Sequence, residues 1–331
     1  MTITILDQNV SEVKNVLESH DLETRKMYAV FACSTPTEST RRTYDYTFYL
    51  PLTVLAWERI GFSSIILMIG NRSEWESNQL LSWVLANLEN RQATTVFLDA
   101  MPEHRTTLSQ VARLFVANMK EFPGMAKSYV MTTDADLWPL RQNHFIPKQG
   151  KNIVLVHSMC CGYFRFNGTE YRMYPMSNIG ATAEVWREIM NERQIIAEDS
   201  RSILEYLENY FGKLARFPAS VASENWYMDQ QLISIRIQNW ILKHGNETVF
   251  KVSDENYFRI DRSTWEKQIS LLERDQSTFE HMFDAHLPKE PFYPRTWESC
   301  RRLFWLMFGK NSWQVEWSTQ YADTFYEILS Q

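Results

Sequence analysis

The chain has few of the cysteines that mark disulfide-rich or zinc-binding proteins. Four occur in 331 residues, and none stands in a Cys-x-x-Cys spacing. Cys160 and Cys161 are adjacent, and neighbouring cysteines rarely bond to each other because a disulfide needs a particular geometry. The cysteine pattern therefore argues against a structural zinc site.

Basic charge and long apolar runs are also scarce. The formal net charge is -6 and the pI is near 5.7, which opposes a nucleic-acid binder because such proteins present a basic face. The longest clear apolar run, Ile65 to Ile69, is far shorter than the roughly 18 residues of a membrane span. We predict no membrane span and no nucleic-acid partner. The compartment stays open between the cytoplasm and, if an anchor lies upstream, the Golgi or endoplasmic reticulum lumen.

Buried strands alternate with amphipathic helices through the first half. The apolar, β-rich runs are Met27–Ser34, Ser64–Ile69, Thr94–Leu98 and Ser128–Thr133. Helical spacing separates them, as in the stripe that runs from Leu108 to Met119. This βαβαβαβ order predicts an α/β fold with a mostly parallel, doubly wound sheet, whose ligands bind beyond the carboxyl ends of the strands.

The second half is less regular and richer in aromatic residues. It offers a fifth strand at Asn152–His157 and helices at Thr182–Asn191, at Arg201–Leu214 and after Asp229. No low-complexity linker divides the chain. We predict a polar leader at 1–26, a nucleotide-sugar half at 27–150 and an acceptor-side half at 151–331 with a C-terminal helical segment, together forming one composite domain.

Two carboxylates follow the fourth predicted strand. Asp134 and Asp136 stand one residue apart after Thr133, at the edge of the sheet where ligands bind. Hard cations such as Mg²⁺ and Mn²⁺ prefer oxygen ligands and often combine one or two carboxylates with substrate phosphates. An Asp-x-Asp triplet also arises by chance in a chain of this size, and its other interpretation is a solvated turn.

In this context the chain resembles the GT-A nucleotide-diphospho-sugar glycosyltransferases, which carry an Asp-x-Asp metal motif at this place. The resemblance covers roughly residues 27–290 by the order of its motifs. It implies a Rossmann-like GT-A fold, a Mn²⁺ or Mg²⁺ ion at Asp134 and Asp136, a UDP- or GDP-sugar donor, and a glycan or other hydroxyl acceptor.

Three later segments resemble the family in the same order. Ser177 to Ala181 (SNIGA) resembles the small-residue stretch near the sugar, which implies roles for Asn178 and Gly180; its alternative is a turn before the next helix. Asn225 to Leu232 (NWYMDQQL) resembles the Asp-Gln segment beside the donor, with Asp229 and Gln230 at the sugar; Asp229 could instead cap a helix. His286, before Leu-Pro, resembles a late histidine that joins the metal shell.

Four more positions follow from the same resemblance. Thr35 and Arg42 lie just after the first strand and Asp99 after the third, where a GT-A fold meets the nucleotide. Lys289 stands where some families have a phosphate-binding lysine, but the Gly of the family pattern is missing between His286 and this lysine. For Arg42 the alternative is a solvated charge pair.

The predicted activity is metal-dependent sugar transfer, in which the cation stabilises the leaving diphosphate. Asp229 would act as the catalytic carboxylate, with Glu224 as the alternative base. An Asp-Gln pair resembles the retaining families more than the inverting ones. The alternatives are a nucleotidyltransferase of the same fold and a non-catalytic sugar- or partner-binding protein. A phosphatase of the haloacid dehalogenase type would carry Asp-x-Asp after its first strand, whereas here it follows the fourth.

Overall fold

A computed structural model describes residues 25–36, 44–191, 197–220, 223–252, 258–291 and 293–331. Its centre is a seven-stranded sheet in the order β10-β6-β9-β4-β1-β2-β3. The strands of this sheet are β1 (Met27–Ser34), β2 (Ser63–Ile69), β3 (Thr94–Leu98), β4 (Tyr129–Thr132), β6 (Ile153–Val156), β9 (Ile179–Thr182) and β10 (Val249–Val252). All pairs are parallel except those of β9, which runs antiparallel to both β4 and β6.

The predicted mostly parallel, doubly wound sheet is therefore confirmed. The chain leaves β1 towards β2 on one side and pairs β1 with β4 on the other. This reversal of strand order is the kind of place where such sheets bind ligands. Strands β6, β9 and β10 of the second half continue the sheet of the first half, with β9 inserted between β4 and β6.

Helices cover both faces of the sheet because its strands are apolar on both sides. They are α1 (Asp45–Glu58), α2 (Arg72–Ser77), α3 (Gln79–Asn90), α4 (Arg105–Val111), α5 (Ala183–Met190), α6 (Ser200–Phe211), α7 (Met228–His244), α8 (Trp265–Arg274), α9 (Pro294–Phe308) and α10 (Trp313–Ser330). Along β1, Ala29 and Phe31 join the core that packs with α1, α3, α9 and α10, whereas Tyr28 and Val30 join the core formed with α4 to α7. No helix among these residues is long and apolar enough to span a membrane.

Two smaller sheets complete the fold. The first joins β11 (Phe258–Ile260), β12 (Met282–His286) and β5 (Leu137–Pro139), and the second is a hairpin of β7 (Tyr163–Phe166) and β8 (Thr169–Arg172). Just before β7, Cys160 and Cys161 are joined by a disulfide. The expectation that these neighbours would not pair is wrong; the two cysteines lie in the turn after His157, where the Cys160 amide donates to the His157 carbonyl at 3.1 Å.

Several predicted elements are found with shifted ends. The stripe from Leu108 to Met119 divides into α4 and a 3-10 segment over Ala112–Asn118. The helix predicted at Thr182 begins one residue later, because the Thr182 hydroxyl caps it by accepting from the Val185 amide at 3.3 Å. The polar leader falls almost wholly outside the described residues, which begin at residue 25.

Candidate functional site

The carboxyl ends of β1 and β4 lie side by side at the point where the strand order reverses. Thr35 continues β1, and its backbone amide donates to the Ile69 carbonyl at 2.9 Å. Its buried hydroxyl donates to Glu74 at 3.2 Å. Asp134 follows β4 in the same edge, because the Thr133 amide still bonds to Val30 of β1 at 2.8 Å. Thr35 and Asp134 thus lie on neighbouring strand ends.

The pairing of β5 with β12 brings a distant histidine to the acidic pair. These strands run antiparallel, with Leu137 opposite His286. The Leu287 amide donates to the Asp136 carbonyl at 2.9 Å. This register places the His286 Nε2 atom 3.7 Å from Asp136 Oδ2. The sequence-predicted Asp136 and His286 are therefore neighbours in the fold.

A guanidinium lies between these two side chains. Arg262 contacts both the Asp136 carboxylate and the His286 Nε2 atom through its Nη2 atom. For Nε2 to accept from an arginine it must carry a free lone pair, which is also the form of imidazole that binds metals. The other ring nitrogen, Nδ1, lies 3.5 Å from Asp261 Oδ2. A carboxylate on the second nitrogen is the usual means of orienting a metal-binding histidine.

Asp261 is held by the turn that follows β11. Its Oδ1 atom accepts from the Ser263 amide at 2.9 Å and from the Ser263 hydroxyl at 2.7 Å. Burial raises its pKa, but these hydrogen bonds and His286 outweigh that effect, and the pKa lies below its ordinary value. One oxygen thus anchors the turn, and the other faces His286.

Asp134 is paired with a different arginine. The Nη1 atom of Arg113 donates to Asp134 Oδ1 and to the Thr133 carbonyl, each at 2.5 Å. Burial raises the pKa of Asp134, but Arg113 outweighs burial, and the pKa is lowered. About a third of this side chain remains exposed, against 7% for Asp136. Asp134 is therefore the more accessible carboxylate of the pair.

Arg113 also links Asp134 to Asp229. The Nη2 atom of Arg113 lies 3.5 Å from Asp229 Oδ2. Asp229 is buried in the first turn of α7, and its Oδ1 atom accepts from the Gln230 amide at 2.7 Å. Tyr227, not Asp229, holds the cap position, so the simple capping alternative for Asp229 is wrong. Burial raises the pKa of Asp229 to about 6, against the lowering effect of Arg113.

Asn178 lies beside the site, in contact with a second buried carboxylate. Its Nδ2 atom donates to Asp284 Oδ2 at 2.7 Å. Asp284 also accepts two hydrogen bonds from Arg259 at 2.8 Å, and the His157 Nε2 atom is 3.0 Å away. The Asn178 backbone has a φ of +69°, a conformation that asparagine tolerates better than most residues. Asn178 therefore fixes β12 to the central sheet.

Gly180 lies inside β9, whereas Asn178 lies in a turn just before this strand, so the alternative of a turn is right for Asn178 and wrong for Gly180. A Cβ atom at Gly180 would lie 2.0 Å from the Tyr129 hydroxyl and 2.6 Å from the Met131 methyl. The close approach that requires glycine is thus made by a core tyrosine of the neighbouring strand β4.

The remaining predicted residues lie further from this cluster or outside the description. Asp99, Glu224 and Lys289 are exposed, and Gln230 is partly buried beside Asp229. Arg42 lies outside the described residues. Among the residues that the structure does describe, no group of three or more His, Cys, Asp or Glu side chains is clustered as a protein-only metal centre requires.

The donor chemistry nevertheless fits a hard cation that shares its shell with phosphate. Asp136 and His286 already hold one positive group, and Asp261 orients the imidazole. Oxygen donors from a diphosphate and water commonly complete a Mg²⁺ or Mn²⁺ shell that has few protein ligands. The pair therefore fits a divalent ion if the Arg262 side chain leaves the position it holds.

Sequence reasoning did not find Arg113, Arg262, Asp261, Arg259 or Asp284. A signal existed for Arg113, because a charged residue interrupts the apolar stripe between Ala112 and Phe115. The others lie on or beside β11 and β12, whose pairing with β5 joins distant parts of the chain. Spacing along the sequence does not reveal such contacts.

No protein-family model matches the chain, and no curated protein matches it. Among solved structures, it is similar to mouse xyloside xylosyltransferase 1 in its apo form, with a TM-score of 0.35 and 12% identity, over 79% of this chain and 96% of that one. It is also similar to a glycosyltransferase involved in glycosylation of the major capsid of PBCV-1, with a TM-score of 0.34 and 8% identity, over 79% and 93%. A third is 4-diphosphocytidyl-2C-methyl-D-erythritol synthase, with a TM-score of 0.31 and 10% identity, over 63% and 99%. At these TM-scores and identities, the similarity does not assign an activity to this chain. Each named activity is that of the solved protein only.

Proposed function

We propose that the protein is a glycosyltransferase that moves a sugar from a UDP- or GDP-sugar to a hydroxyl acceptor such as a glycan. The observation that carries the proposal is a cationic group held between Asp136 and His286, beside Asp134 at the carboxyl edge of the sheet. A site that binds one positive charge with a carboxylate and an imidazole suits a divalent cation. Doubly wound sheets bind nucleotides beyond the carboxyl ends of their strands, which is the edge where these residues lie.

In this proposal Asp136 and His286 hold Mn²⁺ or Mg²⁺, and the partly exposed Asp134 contributes to its shell directly or through water. The cation, when bound, supplies positive charge to the oxygens of the leaving diphosphate. Asp261 keeps the imidazole oriented through Nδ1, 3.5 Å away. Arg113 holds Asp134 in place and keeps it ionised.

Asp229 is the proposed catalytic carboxylate. Its pKa of about 6 lies close to neutral pH, which suits a group that takes and returns a proton. It could deprotonate the acceptor hydroxyl in an inverting reaction or lie beside the sugar C1 in a retaining one, and the Asp-Gln segment favours retention. Glu224 is exposed and sits in the turn just before α7, so Asp229 is the better candidate of the two.

A thermal-shift screen of UDP- and GDP-sugars, with and without Mn²⁺, tests donor binding. A ligand at one hundred times its dissociation constant stabilises the folded state by about 2.7 kcal/mol. We expect that stabilisation with one nucleotide class plus Mn²⁺, and we expect Asp136→Asn to remove it. Asp323→Asn, an exposed change on α10, is the matched control and should retain the full shift.

Turnover is tested separately by release of nucleoside diphosphate from the donor that gives the shift. We expect slow release to water and faster release with an acceptor, both abolished by EDTA. Asp229→Asn should lower the rate by roughly 10²- to 10⁴-fold if it moves the proton, with donor binding retained. Binding without release would identify a sugar-binding protein, and no binding at all would refute the transferase assignment.

A further inference from the structure

The cation position between Asp136 and His286 is filled by a side chain of the protein itself. Arg262 Nη2 contacts both groups, and these are the two side chains proposed to hold the metal. The guanidinium therefore neutralises the Asp136 carboxylate and takes the place of a ligand at the His286 Nε2 atom. A metal ion and Arg262 cannot use these two donor atoms at the same time.

Arg262 is anchored less completely than the groups around it. Its Nε atom is buried with no hydrogen-bond partner among the described residues. Neighbouring Arg259, by contrast, gives both Nε and Nη2 to one carboxylate at 2.8 Å. A buried donor without a partner costs free energy, so Arg262 loses less by leaving than Arg259 would.

The backbone that carries the groups proposed to receive the ion is held independently of Arg262. Asp136 is tied through its carbonyl to the Leu287 amide at 2.9 Å, and His286 is paired across β5 and β12. Asp261 is locked by the Ser263 turn and faces His286 Nδ1. Only the long arginine side chain, with a fifth of its surface exposed, needs to move.

We propose that Arg262 is an intramolecular competitor for the divalent cation, which occupies the metal position until the ion displaces it. This inference rests on the proposed function, whose metal it concerns. The displaced guanidinium becomes available to the diphosphate of the donor, because arginine binds phosphate oxygens in a fork of two donors. The ion thus binds weakly alone and more tightly together with the nucleotide.

Mn²⁺ binding to the full chain without nucleotide tests the competition, measured by calorimetry or by the loss of the free-ion signal in electron paramagnetic resonance. If Arg262 holds the site nine-tenths of the time, the apparent dissociation constant is raised about tenfold. We expect Arg262→Gln to bind Mn²⁺ at least about tenfold more tightly than the wild type. Arg274→Gln, which removes the same charge from an exposed position on α8, should bind like the wild type.

Double variants test whether the tighter Mn²⁺ binding of Arg262→Gln arises at Asp136 and His286. Adding Asp136→Asn or His286→Ala to Arg262→Gln should return Mn²⁺ binding to the wild-type level or below. Arg262→Lys keeps a positive charge and should stay within about threefold of the wild type. If Arg262→Gln does not fold, Arg262→Met, which is uncharged and of similar length, carries the same expectation.

Equal Mn²⁺ affinity of the wild type and Arg262→Gln would overturn the competition, as would weaker binding by the variant or a gain that survives Asp136→Asn. Uptake of Mn²⁺ by the variant alone would support it. These measurements contain no donor sugar, so their failure leaves the release of nucleoside diphosphate as a separate test of the transferase. Conversely, a protein without turnover can still show the tenfold difference.

Discussion

Asp284 and Asp229 are both buried carboxylates close to the candidate site, but their surroundings differ. Asp284 accepts two bonds from Arg259, one from Asn178 and a contact from His157. Asp229 has Arg113 at 3.5 Å and its own neighbouring amide. Both lose solvation, so the number of donors that replace water decides the outcome.

The pKa values move in opposite directions for this reason. Burial raises the pKa of Asp284, but Arg259 and His157 outweigh it and hold the pKa far below its ordinary value. Burial prevails at Asp229 and raises its pKa to about 6. The first carboxylate is a permanent anion that binds β12 to its neighbours, and the second can exchange a proton near neutral pH. The comparison separates a structural acid from one suited to chemistry.

The largest expected effect comes from removing the charge of Asp284. Asp284→Asn leaves the Arg259 guanidinium without its carboxylate, and breaking a buried ion pair from one side costs roughly 3 to 5 kcal/mol. We expect a loss of that size in the free energy of unfolding, measured by urea denaturation at about pH 7. The exposed change Asp323→Asn should stay within about 0.5 kcal/mol. A loss below about 1 kcal/mol would show that Asp284 does not anchor the sheet.

Asp229→Asn should raise the free energy of unfolding at neutral pH, whereas Asp284→Asn lowers it. The folded pKa of about 6 lies above the ordinary value of 3.8, so between those values the folded state binds more protons than the unfolded state. Wild-type stability therefore falls as pH rises from about 4 to 6, by up to roughly 3 kcal/mol. We expect the variant to match the wild type near pH 4 and to be more stable at about pH 7.

His144 provides a control with the reverse pH dependence. Burial lowers its pKa from 6.5 to about 4, so the unfolded state binds more protons in that window and stability rises with pH. His144→Gln should remove that rise, while Asp229→Asn removes a fall. If the free energies of unfolding of the wild type and Asp229→Asn differ by the same amount at every pH, the raised pKa of Asp229 is contradicted.

The smallest expected effect concerns Asn178. Two substitutions there distinguish the contribution of its left-handed backbone to stability from that of its hydrogen bond to Asp284. Asn178→Ala loses the bond to Asp284 and places alanine, which tolerates the left-handed region less well than asparagine, at a φ of +69°, for a loss of about 2 kcal/mol. Asn178→Gly loses the same bond without the strain and should be more stable than the alanine variant by about 1 kcal/mol. If the two variants unfold at the same urea concentration, the left-handed backbone at 178 contributes nothing to stability.

The central strands could be predicted because each is a run of consecutive apolar or β-branched residues. The runs at Met27–Ser34 and Thr94–Leu98 are found with the predicted bounds, since both faces of a parallel strand are covered. Strand β9 was missed. It has four residues including Gly180, and its strand conformation comes from pairing with β4 and β6.

The candidate site divides in the same way. Asp134 and Asp136 could be placed at a strand end from local pattern, and a family resemblance suggested His286. The arginines at 113 and 262 could not be assigned to these carboxylates, because their contacts depend on helix packing and on the register of β5 with β12. Which cation neutralises a buried carboxylate is decided by the residues that surround it in the fold, and the spacing of residues along the sequence does not reveal them.

The antiparallel pairing of β5 with β12 has a consequence for how the site is assembled. Asp134 and Asp136 leave the ribosome with the first half of the chain, whereas Arg259, Arg262 and the His286 imidazole arrive much later. Closing so long a loop is slow and depends on the intervening strands. During synthesis Asp134 therefore follows its partner Arg113, whereas the Asp136 carboxylate is made long before Arg262, the cation that contacts it.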